Sequence, residues 1–154
     1  MGTRYEGTTK EIRALDAFIK LVRAAAAVSG RVEGYLAGIG LTVSQFGVLE
    51  ALYHLGPLYQ KELGRKILKS GGNITMVVHN LEKRGLVQRA RNESDRRHVS
   101  VRITAKGSSL IRSFFPGHVE RIVGEMGVLT ASEQETLARL CKKVGLGTSA
   151  AANA

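Results

Sequence analysis

Apolar residues recur at three- and four-residue spacing along most of the chain and give way to alternation only once, between Val87 and Ile103. A first run, Ile12, Leu15, Ile19, Val22 and Ala26, is overlapped by a second, Phe18, Val22, Ala25, Val28, Val32, Leu36 and Ile39. This spacing predicts one long helix from Thr9 to about Gly38, apolar on more than one side. Such a helix needs several partners, and in a short chain one of them can be a second copy. Residues 1–8 and 147–154 lack periodicity and read as disordered tails around a single domain spanning 9–146.

Past Gly40, Thr42 stands three residues before Gln45, the spacing of a reciprocal capping box. A short second helix follows with Phe46, Leu49, Leu52 and Tyr53 inward, and Gly56-Pro57 ends it. Leu58 to Ser70 reads as a third helix, with Leu63 and Ile67 inward and Lys61, Arg65 and Lys66 outward. Tyr59 stands where a serine or threonine would cap it better. Ser70 can cap a fourth helix whose inward arc is Ile74, Val77, Val78 and Leu81. The opposite arc holds Gly72, Met76, His79 and Lys83, flanked by Asn73, Thr75 and Asn80. Gly71 and Gly72 have two readings: close approach of the helix start to a phosphate, or a tight bend between helices.

Gly85 stops this helix, and Val87–Arg91 and His98–Ile103 alternate as strands around a turn at Asn92 to Asp95. Thr104 can cap a fifth helix carrying Leu110, Ile111, Phe114, Phe115, Val119, Ile122, Val123 and Met126. Pro116 lies inside it, so a kink or break is expected near Phe115. Thr130 and Glu133 repeat the capping-box spacing and open a sixth helix with Leu137, Leu140 and Val144 inward. The predicted fold is mainly α, about six helices with one β-hairpin, in winged helix-turn-helix order, with a DNA-binding lobe at about 42–104.

Composition sharpens this picture. The chain has no Trp and 5% aromatic residues, so its core must be mostly aliphatic. The net charge is +10, and +8 of it falls between Pro57 and Lys106, where twelve positive residues face four negative ones. Charge placed on a helix and a hairpin tip points to double-stranded DNA rather than to a membrane surface. No apolar run reaches the roughly 18 residues of a membrane span and no signal peptide is visible, which points to a cytoplasmic protein.

Candidate chemistry is sparse. No nucleophile–base pair, phosphate loop or carboxylate constellation stands at a recognisable spacing, which argues against an enzyme and requires no cofactor. His54, His79, His98 and His118 show no close ligand spacing and have no cysteine partners, so no metal site is expected. Cys141, the only cysteine, lies between Leu140 and Lys142; a buried structural thiol is the expectation, and exposure beside Lys142 and Lys143 would make it reactive.

The runs LTVSQFGVLEAL, YQKELGRKILKSGGNITMVVHNLEKRGLVQR, SDRRHVSVRITAKG and LTASEQETLARL resemble, in order and spacing, the MarR family of bacterial transcription regulators. The similarity covers roughly Lys10 to Val144. It implies a homodimer built from the first, fifth and sixth helices, with two winged lobes on adjacent half-sites of a pseudo-palindrome, usually repressing transcription. Carried over, Ser70, Asn73, Thr75, Met76, His79 and Asn80 face the major groove. Arg96 and Arg97 match the wing-tip arginines, and Asp95 matches the acid that braces them. Gly72, Lys83, Arg89 and Arg91 complete the candidate DNA surface. His79 and Asn80 stand where Asp and Arg are common, so base preference does not transfer. The resemblance also implies a site for phenolic, quinone-like or other amphipathic effectors near Tyr35, Phe46, Phe114, Phe115 and His118, for each of which core packing is the alternative. A non-specific architectural DNA-binding protein is the other reading that the charge supports.

Overall fold

The computed structural model describes residues 4–67, 71–91 and 99–147. Six helices are present: α1 (Thr9–Ala37), α2 (Val43–Leu55), α3 (Gln60–Lys66), α4 (Gly71–Lys83), α5 (Ala105–Met126) and α6 (Ala131–Leu146). Three strands accompany them, β1 (Leu58–Tyr59), β2 (Val87–Arg91) and β3 (Val99–Ile103).

Local chemistry sets the helix starts. The hydroxyl of Thr42 accepts the Gln45 backbone N–H while the Gln45 side chain accepts that of Thr42. Thr130 and Glu133 repeat the arrangement at α6. Thr8, which periodicity alone assigns to the tail, is the N-cap of α1 and forms the same box with Glu11. The Thr8 and Thr130 backbone N–H groups, then their hydroxyls, hold the Glu11 and Glu133 carboxyls below their ordinary pKa. At α3 the Tyr59 side chain makes no cap, and Glu62 accepts the Tyr59 backbone N–H at 2.8 Å instead. Gly56 and Gly85 end α2 and α4 with φ of +78° and +68°, a region that glycine enters without a Cβ penalty.

Two expectations change. Leu58 and Tyr59 are not the start of a helix but a two-residue strand paired antiparallel with β3, Leu58 opposite Val101 and Tyr59 opposite Ser100. Two residues are too few to show alternation, and their pairing comes from the distant β3. The sheet order is β1-β3-β2, with Val87 opposite Ile103 and Arg91 opposite Val99. Second, of the kink or break expected at Pro116, the break is absent, since α5 is helical from Ala105 to Met126. Proline removes one N–H, and a helix of 22 residues keeps the hydrogen bonds on both sides of the gap.

The chain divides into two compact units within α5, at residues 1–113 and 114–154. In the first, Leu36, Leu41, Phe46, Val48, Leu49, Leu52, Leu63, Ile74, Val78, Leu81, Leu86, Val87, Val101 and Ile111 form a buried core that is aliphatic except for Phe46. Gly107 is where the start of α5 meets the turn after α4, for a Cβ there would lie 2.2 Å from the Leu86 carbonyl oxygen. In the second unit α6 has no buried residue, and the Gln134 amide ties α6 back to the carbonyls of Met126 and Leu129.

Candidate nucleic-acid interface

Helix α4 carries two chemically distinct faces. Ile74, Val78 and Leu81 are buried in the lobe core and Val77 is half-buried. Outward, Asn73, Thr75, Met76 and Lys83 are exposed, and His79 and Asn80 are half-buried. Met76 is 59% exposed, unusual for a large apolar residue on a helix whose other aliphatic side chains turn inward.

A cleft of about 340 Å³ runs beside this face, lined by Thr42, Ser44 and Gln45 at the start of α2 and by Asn73, Met76, Val77 and Asn80 of α4. Gln60 of α3 donates to the Thr75 hydroxyl at 2.7 Å and so orients that side chain. The far end of α4 is fixed from several directions. Arg84 Nη1 donates to the Gly40 carbonyl at 2.6 Å, and Lys106 Nζ donates to the Arg84 carbonyl at 2.9 Å. The Thr104 hydroxyl reaches the Gly85 carbonyl at 2.7 Å.

Glu82 ties the helix to the wing. Its carboxylate accepts the Arg89 backbone N–H at 3.1 Å and the guanidinium Nε and Nη2 at 2.8 and 2.5 Å. The hydrogen-bonded Arg89 guanidinium holds the Glu82 carboxyl below its ordinary pKa against the opposing effect of partial burial, with smaller help from the Arg89 backbone and from His79. Arg89, nominated from sequence as a DNA contact, is exposed and also braces β2 against α4 through this pairing. Arg102 is likewise engaged, donating from Nε and Nη2 to its cross-strand neighbour Gln88 at 3.0 and 2.8 Å. Lys61, Arg65 and Lys66 of α3 stand exposed near in sequence to this surface.

Gly72 lies in the first turn of α4 and Arg91 closes β2. Ser70, Asp95, Arg96 and Arg97 lie outside the described residues, as do His98 and the turn at Asn92 to Asp95. Of the aromatic candidates, Phe114, Phe115 and His118 come together on α5, the His118 ring 6.5 Å from Phe114 and 5.8 Å from Phe115. Phe46 is buried in the lobe core, and Tyr35 is half-buried near the end of α1. Cys141 is exposed, contrary to the expectation of a buried thiol, because α6 buries none of its residues within the chain. Among the described residues no group of three or more His, Cys, Asp or Glu could hold a metal ion, and no helix is long and apolar enough to cross a membrane.

Sequence reasoning missed Thr42 and Ser44 as neighbours of α4, Gln60 as the clamp on Thr75, and Glu82 as the anchor of Arg89. The capping box located Thr42 and Gln45 on a helix start, but nothing local told which helix that start would face.

Comparison with known proteins matches the MarR family to residues 41–99, which is the lobe built around α2, α4 and the sheet. The HTH-type transcriptional regulator MhqR of Bacillus subtilis is 37% identical over 134 residues, covering 87% of this chain and 92% of that protein. Sco3205, a MarR family transcriptional regulator from Streptomyces coelicolor solved in complex with DNA, superposes with a TM-score of 0.82 at 23% identity, covering 95% of this chain and 92% of that one. BpsR of Bordetella bronchiseptica, whose DNA binding is regulated by 6-hydroxynicotinic acid, superposes with a TM-score of 0.77 at 23% identity over 84% of this chain and 98% of its own.

Proposed function

The chain belongs to the MarR family and is a DNA-binding transcriptional regulator rather than an enzyme; on that premise we propose that it acts as a homodimeric repressor released by a small effector. The observation that carries this reading is the outer face of α4. Asn73, Thr75, Met76, His79 and Asn80 stand on it opposite an inner face where Ile74, Val78 and Leu81 are buried, the arrangement a helix needs to enter a major groove without giving up its packing. Arg96, Arg97 and Asp95 are proposed as the wing tip, with an arginine in the minor groove where the potential is most negative.

Dimerisation is supported by apolar side chains that the single chain leaves exposed, among them Leu15, Phe18 and Val22 on α1 and Leu137, Leu140 and Val144 on α6. The effector class is amphipathic, phenolic or quinone-like, and the aromatic group Phe114, Phe115 and His118 is the first place to seek it. An effector that prefers a conformation with badly spaced reading helices lowers DNA affinity by its differential binding alone.

The test is a mobility-shift titration of the duplex upstream of the chain's own gene against a scrambled duplex, at several salt concentrations. Preference for the upstream duplex, with affinity falling steeply as salt rises, is expected. Equal affinity for both would instead identify a non-specific architectural protein, the other reading compatible with a charge of +10.

A further inference from the structure

The reading helix is unusual in what it lacks. From Gly71 to Leu81 the sequence GGNITMVVHNL contains no Lys, Arg, Asp or Glu. The commonest specific contact in the major groove, a charged fork on guanine O6 and N7, is therefore absent from this stretch, and so is a carboxylate that would accept from cytosine N4. What remains outward is two carboxamides, a hydroxyl and a thioether, with His79 set apart from the cleft and beside the Glu82 carboxylate.

Asn73 and Asn80 are seven residues apart, two helical turns, and both line the same cleft, with Met76 between them. A carboxamide matches adenine, accepting from N6 and donating to N7, while an apolar side chain gains by covering the thymine C5-methyl. Met76, 59% exposed and flexible, can reach such a methyl with little cost to the core. Thr75, its hydroxyl held by Gln60, adds a second methyl to the same surface.

We propose that the part of each half-site facing residues 73–80 of α4 consists of A·T pairs, with adenine read by Asn73 and Asn80 and a thymine methyl covered by Met76. This rests on α4 being the base-reading helix. Discrimination between Gly71 and Leu81 comes from neutral groups, which match adenine bidentately and guanine only in part, and a strong G·C preference arises outside this stretch, as at Lys83.

The test selects duplexes from a randomised library with the full chain, with Asn73→Ala and with Met76→Ala. Both substituted side chains are exposed, and unchanged thermal melting confirms that the variants fold. The positions whose preference relaxes in either variant should be A·T in the wild-type selection, Asn73→Ala losing about 5- to 150-fold of its discrimination there. Replacing thymines singly by deoxyuridine removes the methyl alone. At one position per half-site this should weaken the wild type about fourfold, the value of one buried methyl, and leave Met76→Ala unaffected. Relaxed positions that are G·C, or uracil effects of equal size in wild type and Met76→Ala, overturn the proposal while leaving DNA reading intact. Selection of no sequence at all overturns the reading of α4 itself.

Discussion

The segment from Leu36 to Ile111 and the helical stretches outside it face the same problem, the burial of aliphatic side chains, and solve it differently. Every buried hydrophobic residue among the described residues lies in that segment, where short helices and a three-stranded sheet close around one another. Helix α1 contributes only Leu36, from its last turns, and α6 contributes nothing. Both instead present apolar rows to solvent, Phe18 at 62% exposure and Val144 at 64%. The reading lobe completes its core within one chain, so its shape does not depend on a partner. The terminal helices carry the sequence of core elements without a core, which is the condition a second copy relieves.

Substitutions on the two sides of this divide should separate. Leu63→Ala, at a fully buried position between α3 and the rest of the lobe, should cost about 2 to 5 kcal/mol in a denaturant titration, because the cavity cannot collapse. Gly107→Ala should cost about 1 to 3 kcal/mol by the same measurement, since the new methyl meets the Leu86 carbonyl and backbone cannot give way as a side chain can. If Gly107→Ala were neutral, the lobe would be looser than its contacts imply.

On the other side, the double substitution Leu140→Asp with Val144→Asp should leave the lobe's near-native circular dichroism in place while shifting sedimentation from dimer to monomer. Retention of the dimer would show that α6 is not part of the interface.

The smallest effect concerns the brace between helix and wing. Because the folded-state pKa of Glu82 is depressed by Arg89, the stabilisation is fully present above the ordinary carboxylate range and is lost as pH falls through the folded-state value. Glu82→Gln should therefore cost about 0.2 to 1 kcal/mol near neutrality and flatten the acid side of the stability profile. The same variant should weaken DNA binding if the brace sets the angle of the wing, and denaturant titrations across acid pH, paired with shift assays, measure both effects.

What the sequence disclosed follows from how local each signal is. Capping boxes at Thr42 and Thr130, the stop at Gly85 and the inward arc of α4 are decided within a few residues, and they stand as read except that Val77 is only half-buried. β1 was illegible because its existence depends on β3, more than forty positions along the chain. Arg89 has a second role that was illegible for a related reason: its charge marked it for DNA, while Glu82, seven residues earlier, also engages its guanidinium. Charge says which residues can bind a polyanion, and only geometry says which are already occupied. Cys141 shows the converse limit, since its apolar neighbours imply burial that the isolated chain does not provide.

The proposed homodimer engages two half-sites at once through its two reading lobes. The direct measurement is the affinity of the full chain for its selected operator after insertion of about 5 base pairs, half a duplex turn, between the half-sites. A rigid dimer places the second half-site on the wrong face of the duplex, so binding should fall toward the affinity for a single half-site. Affinity unchanged by the insertion would contradict a dimer that reads both half-sites at once.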